Sequence, residues 1–199
     1  MLCSVLIPTR HRADRLAAAV ESVFRTAVSP QSVEVILCVH ADDTETVTAL
    51  PSLLLMGNVR AFIGPPAPYD KNGEIHWELC QLAKGAWLWF FNDDVTVDQC
   101  SLGWDDCLQD MPTGGVIALP DTHRLGESIY TRDEKCPFMF TPNGWWKRLG
   151  LTGFVSPIDN FVFGTLRVAN AWKTEFIPGL SVWHDRRNDR LMQEEGQRF

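Results

Sequence analysis

Short apolar runs alternate with helix-like segments through residues 1–95, and this alternation limits the folds open to the chain. The apolar runs have the length of buried strands and read LCSVLIP, VEVILCV, VRAFIG and AWLWFF. The segments between them suit amphipathic helices and read ADRLAAAVESVFRT, DDTETVTALPSLL and GEIHWELCQLAKG. We expect Pro51 to break the second helix and Gly85 to close the third. This order predicts an α/β fold with a mostly parallel sheet, right-handed crossovers and flanking helices.

The pattern becomes less regular after residue 95. Helices are indicated by SLGWDDCLQDM and SPIDNFVFGTLRVANAW, strands by GGVIAL, ESIYT and PFMFT, and a final strand pair by EFIPGLSVWHD. A chain of 199 residues is long enough for one domain with a sizeable core. We therefore predict a single domain with a regular half at 1–95, an irregular half at 96–185 and a polar tail at 186–199.

Charge and cysteine usage narrow the class of protein. A net charge of −7 argues against a nucleic-acid binder and against electrostatic attachment to anionic lipid. The 6 cysteines contain no C-x-x-C pair, so a zinc ribbon is not expected and a reduced, cytoplasmic chain is. No apolar run approaches the roughly 20 residues of a membrane span.

Three polar clusters directly follow predicted strands. They are 8–10 (Pro-Thr-Arg), 40–43 (His-Ala-Asp-Asp) and 92–94 (Asn-Asp-Asp). In open parallel sheets, ligands bind beyond the carboxyl ends of the strands, so these clusters should meet at one edge. The oxygen-only set at 92–94 suits a hard cation such as Mg²⁺ or Mn²⁺. The alternative is a solvated Asn-Asp turn after a strand.

The segments SVLIPTRHRADRLAAAVESVF, VEVILCVHADDTET and AKGAWLWFFNDDV resemble, in this order, the GT-A glycosyltransferases of the family 2 type. The resemblance covers roughly the first half of the chain. It implies a Rossmann-like GT-A fold, a nucleotide-diphosphate-sugar donor and Mn²⁺ or Mg²⁺ on the D-x-D-like turn. It also implies hexosyl transfer, with inversion, to a hydroxyl of a carbohydrate or other acceptor. Residues 1–95 would then bind the donor, and 96–185 would face the acceptor.

The resemblance and the strand ends together define the candidate donor and metal residues. Candidates for donor binding are Pro8, Thr9, Arg10, Arg12, His40, Asp42, Lys71 and Asp93. We assign the cation chiefly to Asp94, with His184 as a further ligand or a diphosphate contact, and a structural histidine as the alternative. Arg186 and Arg187 would neutralise the leaving diphosphate or lie in a solvated turn.

Inverting transfer needs a base for the acceptor hydroxyl, and the resemblance implies an acid near a helix start in the second half. Asp159 in VSPIDNFVFGTLR occupies that place, with Asn160 where relatives often carry a second acid. The alternative role for Asp159 is to complement the helix dipole. Asp105 and Asp106 are the competing candidates, and we expect both to face solvent on a helix.

Two departures from the family pattern bear on function. Asn92 replaces the first acid of the D-x-D turn, and Val39-His40 replaces the adjacent aspartates that often bind base and ribose. The nucleoside therefore stays open. A binding module for a nucleotide or glycan, without turnover, is the alternative, and a metal-dependent hydrolase or nucleotidyltransferase is a third. The absence of a Gly-rich phosphate loop after the first strand argues against a nucleotidyltransferase.

Overall fold

A computed structural model gives the fold of residues 1–66, 72–134, 136–144 and 173–185. The strands are β1 (Cys3–Thr9), β2 (Val33–His40), β3 (Val59–Gly64), β4 (Trp87–Phe90), β5 (Val95–Val97), β6 (Val116–Leu125), β7 (Ser128–Thr131), β8 (Phe140–Pro142) and β9 (Lys173–His184). The helices are α1 (Ala13–Thr26), α2 (Thr44–Leu53), α3 (Asn72–Leu82) and α4 (Trp104–Asp110), with a 3-10 turn at Pro30–Ser32.

The strands form one mixed sheet in the order β3-β2-β1-β4-β8-β6-β9-β5, and β7 pairs with β6. Strands β1 to β4 are parallel, as the alternation of strands and helices predicts. From β4 onward the sheet is mixed, because β8 pairs antiparallel with β4 and β5 pairs antiparallel with β9. The direction changes at β4, which leads directly into the polar turn at 92–94. This is the kind of position at which open α/β sheets bind ligands.

The core lies between the sheet and its helices, and its centre is aromatic. Every residue of β1, β2 and β4 is buried, as expected for central strands covered on both faces. The Trp89 ring stacks on Phe140 with 4.3 Å between centroids, and its indole N–H donates to the Phe138 carbonyl at 3.1 Å. Trp104 of α4 packs against Trp89 at 4.9 Å. These rings join the parallel half of the sheet to its antiparallel half.

A buried polar network lies at the amino ends of β1, β2 and β3. The Glu34 carboxylate is almost fully buried and accepts hydrogen bonds from Ser4 Oγ at 2.6 Å, Arg60 Nη2 at 2.7 Å and the Lys84 amide at 2.7 Å. A buried charge is tolerated when it is paired and hydrogen-bonded in this way. The network therefore stabilises the sheet at the end opposite to the polar turn.

Two expectations about helix ends were wrong. Helix α2 continues past Pro51 to Leu53, because this proline stands near the helix end and removes only one hydrogen bond. Helix α3 ends at Leu82, so Gly85 does not close it. Gly85 is needed for close packing instead, since a Cβ there would lie 2.4 Å from a backbone nitrogen of β1.

The expected final strand pair is the single strand β9. Pro178-Gly179 forms a bulge and not a turn, with Gly179 at a φ of 73°. The pairing of β9 with β6 moves from Ile177 opposite Pro120 to Ser181 opposite Thr122 across this bulge. The strand therefore keeps its neighbour and carries His184 to the polar end of the sheet. No helix in the described residues is long and apolar enough to cross a membrane.

Candidate functional site

The three predicted clusters meet at the carboxyl ends of β1, β2 and β4. Parallel pairing sets Thr9 opposite Val39 and aligns β1 with β4. Side chains then cross between the loops. Arg10 Nη2 donates to Asp42 Oδ2 at 2.7 Å, which joins the ends of β1 and β2. Arg12 Nη1 donates to Asp93 Oδ1 at 2.8 Å, which joins the end of β1 to the turn after β4.

Adjacent carboxylates form the centre of the site, and both are buried rather than solvated. Asp93 is 4% exposed and Asp94 is 8% exposed. Arg12 Nη1 lies 2.8 Å from Asp93 Oδ1 and 3.4 Å from Asp94 Oδ2, so one guanidinium group offsets their mutual repulsion. The arrangement excludes the solvated Asn-Asp turn that the sequence left open.

The environment separates the proton affinities of these neighbouring acids. Burial raises the pKa of Asp93 to about 6, with Arg12 opposing the rise and the charge of Asp94 adding to it. Burial also acts on Asp94, but the hydrogen bond and charge of His184, together with Arg12, bring the pKa of Asp94 below its usual value. Asp94 is therefore the more firmly ionised of the pair and the better candidate to hold a cation.

His184 reaches the site from the end of β9. Antiparallel pairing sets His184 opposite Val95, and its Nε2 lies 3.4 Å from Asp94 Oδ2. The Asp185 amide donates to the Asp94 carbonyl at 2.9 Å, which fixes the strand end against the turn. The predicted association of His184 with Asp94 is thus present in the structure.

The donor atoms at this point fit a cation that arrives with phosphate. Asp94 Oδ1 and His184 Nδ1 are both buried and have no hydrogen-bond partner. The described residues contain no cluster of three or more His, Cys, Asp or Glu side chains that could hold a metal ion by itself. Mg²⁺ and similar ions are commonly bound by one or two carboxylates together with substrate phosphates, so two protein ligands suffice for such a site.

A strained loop between β1 and α1 forms the rim of the site. His11 has a φ of 57°, in the left-handed region, and its amide donates to Asp43 Oδ2 at 2.6 Å. Asp43 also caps α2 by accepting from the Thr46 amide at 3.0 Å. Sequence reasoning missed the His11 contact, because histidine gives no signal for a positive φ. The loop that carries Arg10 and Arg12 is therefore held in place by the start of α2.

The floor beneath this loop is built from strand residues. Pro8, Thr9 and His40 are all buried at the carboxyl ends of β1 and β2. Burial, aided by the charge of Arg10, lowers the pKa of His40, so its imidazole is neutral near pH 7. A base-binding surface at this position would therefore present a neutral imidazole where relatives often present carboxylates.

Several other sequence predictions have a structural outcome. Asp105 is fully buried and accepts from the Val28 and Ser29 amides at 2.9 and 2.7 Å, so the expectation that it faces solvent was wrong. Its role is to hold the chain after α1, which disfavours it as the catalytic base. Asp106 is exposed, as expected. Lys71, Asp159, Arg186 and Arg187 lie outside the described residues and stay predictions.

Comparison with known proteins identifies the fold. No protein-family model matches the sequence, and no curated protein matches it at a significant level. Solved structures do match, and they show that the chain has the GT-A glycosyltransferase fold.

Three of the matching structures carry sugar nucleotides or their parts. S. aureus TarS 1–349 with UDP-GlcNAc is 12% identical, with a TM-score of 0.75 over 97% of this chain and 61% of TarS 1–349. GalNAc-T7 with UDP, GalNAc and Mn²⁺ is 14% identical, with a TM-score of 0.69 over 94% of this chain and 44% of that one. The mannosyltransferase PcManGT from Pyrobaculum calidifontis, with GDP-Man and Mn²⁺, is 13% identical, with a TM-score of 0.70 over 98% and 60%. This chain therefore spans about three fifths of the TarS fragment.

Proposed function

We propose that the protein is a glycosyltransferase that moves a sugar from a nucleotide-diphosphate-sugar donor to an acceptor hydroxyl. The observation that carries the proposal is the meeting of Arg12, the adjacent acids Asp93 and Asp94, and His184 at one sheet edge of a GT-A fold. The structural neighbours bind UDP-GlcNAc, UDP with GalNAc, and GDP-Man, which supports a nucleotide-sugar donor here.

Donor binding is proposed to use the strand-end residues. Thr9 and His40 would form the floor for the nucleoside, with Arg10 and Asp42 at its more exposed side. Because the Arg10–Asp42 ion pair is already formed at 2.7 Å, it would act as a unit that shapes the pocket. Lys71 stays a proposed donor contact on the strength of the sequence alone.

The cation proposal rests on Asp94 and His184. A bound Mn²⁺ or Mg²⁺ would neutralise the diphosphate that leaves the sugar. Asp94 is suited to hold it because its carboxylate is ionised and its Oδ1 has no hydrogen-bond partner. Two of the structural neighbours contain Mn²⁺, which supports this assignment. Arg12 keeps Asp93 and Asp94 together at the end of β4.

The acceptor side is proposed from sequence resemblance. Asp159 would take the proton of the attacking hydroxyl, which is the step that transfer with inversion requires. The burial of Asp105 supports this choice indirectly, because it removes one competing candidate. A cytoplasmic location is also proposed, and the six free cysteine thiols support it.

One observation favours a second function, a nucleotide- or glycan-binding module without turnover. The guanidinium group of Arg12 lies against both acids of the candidate metal site, and Asn92 replaces an expected acid beside them. A protein that binds a nucleotide sugar by charge pairing alone would show this arrangement.

A donor panel separates these functions. The chain is incubated with nucleotide sugars and Mn²⁺, binding is read by thermal shift, and released nucleoside diphosphate is measured. A ligand that binds only the folded state raises the melting temperature. The proposal expects one donor both to stabilise the protein and to release diphosphate. Stabilisation without release would identify the binding module, and no stabilisation by any donor would contradict both functions.

A further inference from the structure

Arg12 has an unusual position in the candidate metal site, since its guanidinium group contacts both acids. We propose that Arg12 is an internal competitor of the metal, so that the free protein holds a divalent cation weakly and a diphosphate must bind with it. The inference rests on the proposed function in one respect, namely that the diphosphate belongs to the donor.

The two oxygens of Asp94 have different surroundings. Asp94 Oδ2 lies 3.4 Å from Arg12 Nη1 and 3.4 Å from His184 Nε2. Asp94 Oδ1 is buried and has no hydrogen-bond partner. A buried carboxylate oxygen without a partner is costly, and a cation would satisfy it. The structure thus leaves a ligand atom ready for a cation, next to a positive charge that the protein supplies itself.

That neighbouring charge opposes metal binding. The Arg12 side chain is 19% exposed, and those of Asp93 and Asp94 are 5% and 7% exposed, so water screens the site poorly. A divalent ion at Asp94 Oδ1 would lie within a few ångström of the guanidinium group and be repelled by it. The hydrogen bond to Asp93 at 2.8 Å holds Arg12 in this position. Asp93 is therefore a positioning residue for Arg12 and not a metal ligand.

A diphosphate removes this opposition. It adds negative charge and oxygen ligands for the cation, and arginine binds phosphate through strong paired hydrogen bonds. The cation and the diphosphate should therefore each raise the affinity of the other, and by the same factor. The site would stay closed to free metal and would load only when both are present.

The test measures Mn²⁺ binding to the protein alone, from the loss of the free-ion signal in electron paramagnetic resonance. Removing the charge with Arg12→Met should tighten Mn²⁺ binding by about tenfold, within the usual range for coupled sites. Arg12→Lys keeps the charge and should bind Mn²⁺ as weakly as wild type. The matched control is Arg25→Met, which removes an exposed arginine from the far end of α1 and should change nothing.

Adding Asp94→Asn to Arg12→Met should abolish the gain and so locate the ion. Equal or weaker Mn²⁺ binding by a folded Arg12→Met protein would overturn the proposal, as would tight binding by Arg12→Lys. Because Arg12→Met leaves two buried acids without their cation, circular dichroism checks that the variant folds.

A second measurement uses wild-type protein only. Melting temperatures are recorded with Mn²⁺, with inorganic pyrophosphate and with both together. We expect the shift with both to exceed the sum of the separate shifts. A shift with Mn²⁺ alone that equals the shift with both would overturn the inference. Neither experiment involves sugar transfer, so their outcome is independent of whether the protein proves to be a transferase.

Discussion

Asp93 and Asp94 show how neighbouring residues of one type acquire different properties. Asp93 donates no contact to β9, whereas Asp94 lies beside His184 at the end of that strand. The pKa of Asp93 therefore rises to about 6 under burial, while that of Asp94 falls below its usual value despite burial. The sequence shows two equal carboxylates. Their difference comes from Arg12 and from His184, which lies 90 residues further along the chain.

Glu34 gives a stability prediction at the same scale. Replacing it with Gln should lower the free energy of unfolding by about 1–3 kcal/mol, because Arg60 and the Lys84 amide lose a charged acceptor. Urea unfolding of wild type and Glu34→Gln at pH 7 measures this difference. Donor affinity should not change, since the network lies at the opposite end of the sheet. A variant as stable as wild type would contradict the role given to Glu34.

The same pair of proteins tests a pH dependence. Burial opposes ionisation of Glu34, but hydrogen bonds from Ser4, Lys84 and Arg60 outweigh it and lower its pKa. A group with a lowered pKa in the folded state stabilises the protein above its unfolded pKa of about 4.3. That stabilisation is lost as the pH falls through the folded pKa. The difference between wild type and Glu34→Gln should therefore be full at pH 6 and shrink in acid, and a difference that grows in acid would contradict this account.

At the scale of elements, local pattern was sufficient wherever burial alone decides the structure. Strands β1, β2 and β4 were predictable because their residues are apolar on both faces. The bulge in β9 was not, since Pro178-Gly179 has the composition of a turn and only pairing with β6 makes it a strand. Asp105 was misread for the same reason, because its amide partners are 76 and 77 residues away.

Asp43 links two elements, and its loss should affect both. Asp43→Ala removes the cap of α2 and the acceptor for the His11 amide, so we expect a loss of about 1–2 kcal/mol in unfolding free energy. Asp43→Asn is the matched control, because an Asn side chain also caps helices and should cost less. Thermal or urea unfolding checks the order wild type, Asn, Ala. An Ala variant equal in stability to the Asn variant would show that the cap does not stabilise the loop.

At the scale of the whole molecule, the sheet divides the proposed work between its two parts. The parallel strands β1 to β4 carry the strand ends that form the candidate donor site. Strand β9, from the mixed part, returns to that edge and adds His184. The fold could be predicted from the sequence because both the strand–helix order and the family resemblance indicate it. The detailed site could not, because Arg12 and Asp93 are 81 residues apart and meet only through the sheet.

The proposed acceptor base is a prediction at this scale, since it concerns the second half of the chain. Asp159→Asn should leave donor affinity unchanged and reduce transfer by about 10²–10⁴-fold, the usual contribution of a positioned acid or base. Asp106→Asn, at an exposed position of α4, is the control and should transfer normally. Donor affinity and transfer rate are measured separately for each variant. If Asp159→Asn transfers at the wild-type rate, the base lies elsewhere.

The central claim is that Asp94 holds the cation through which the donor diphosphate reacts. The most direct measurement is nucleoside diphosphate release from the best donor in Mn²⁺, for wild type, Asp94→Asn and the control Asp106→Asn. We predict that EDTA stops release by wild type and that Asp94→Asn lowers it by about 10²–10³-fold, the range for one group that stabilises developing charge. Asp106→Asn should release diphosphate normally, and circular dichroism should show that both variants are folded. Full release in EDTA, or wild-type release by folded Asp94→Asn, would contradict the account.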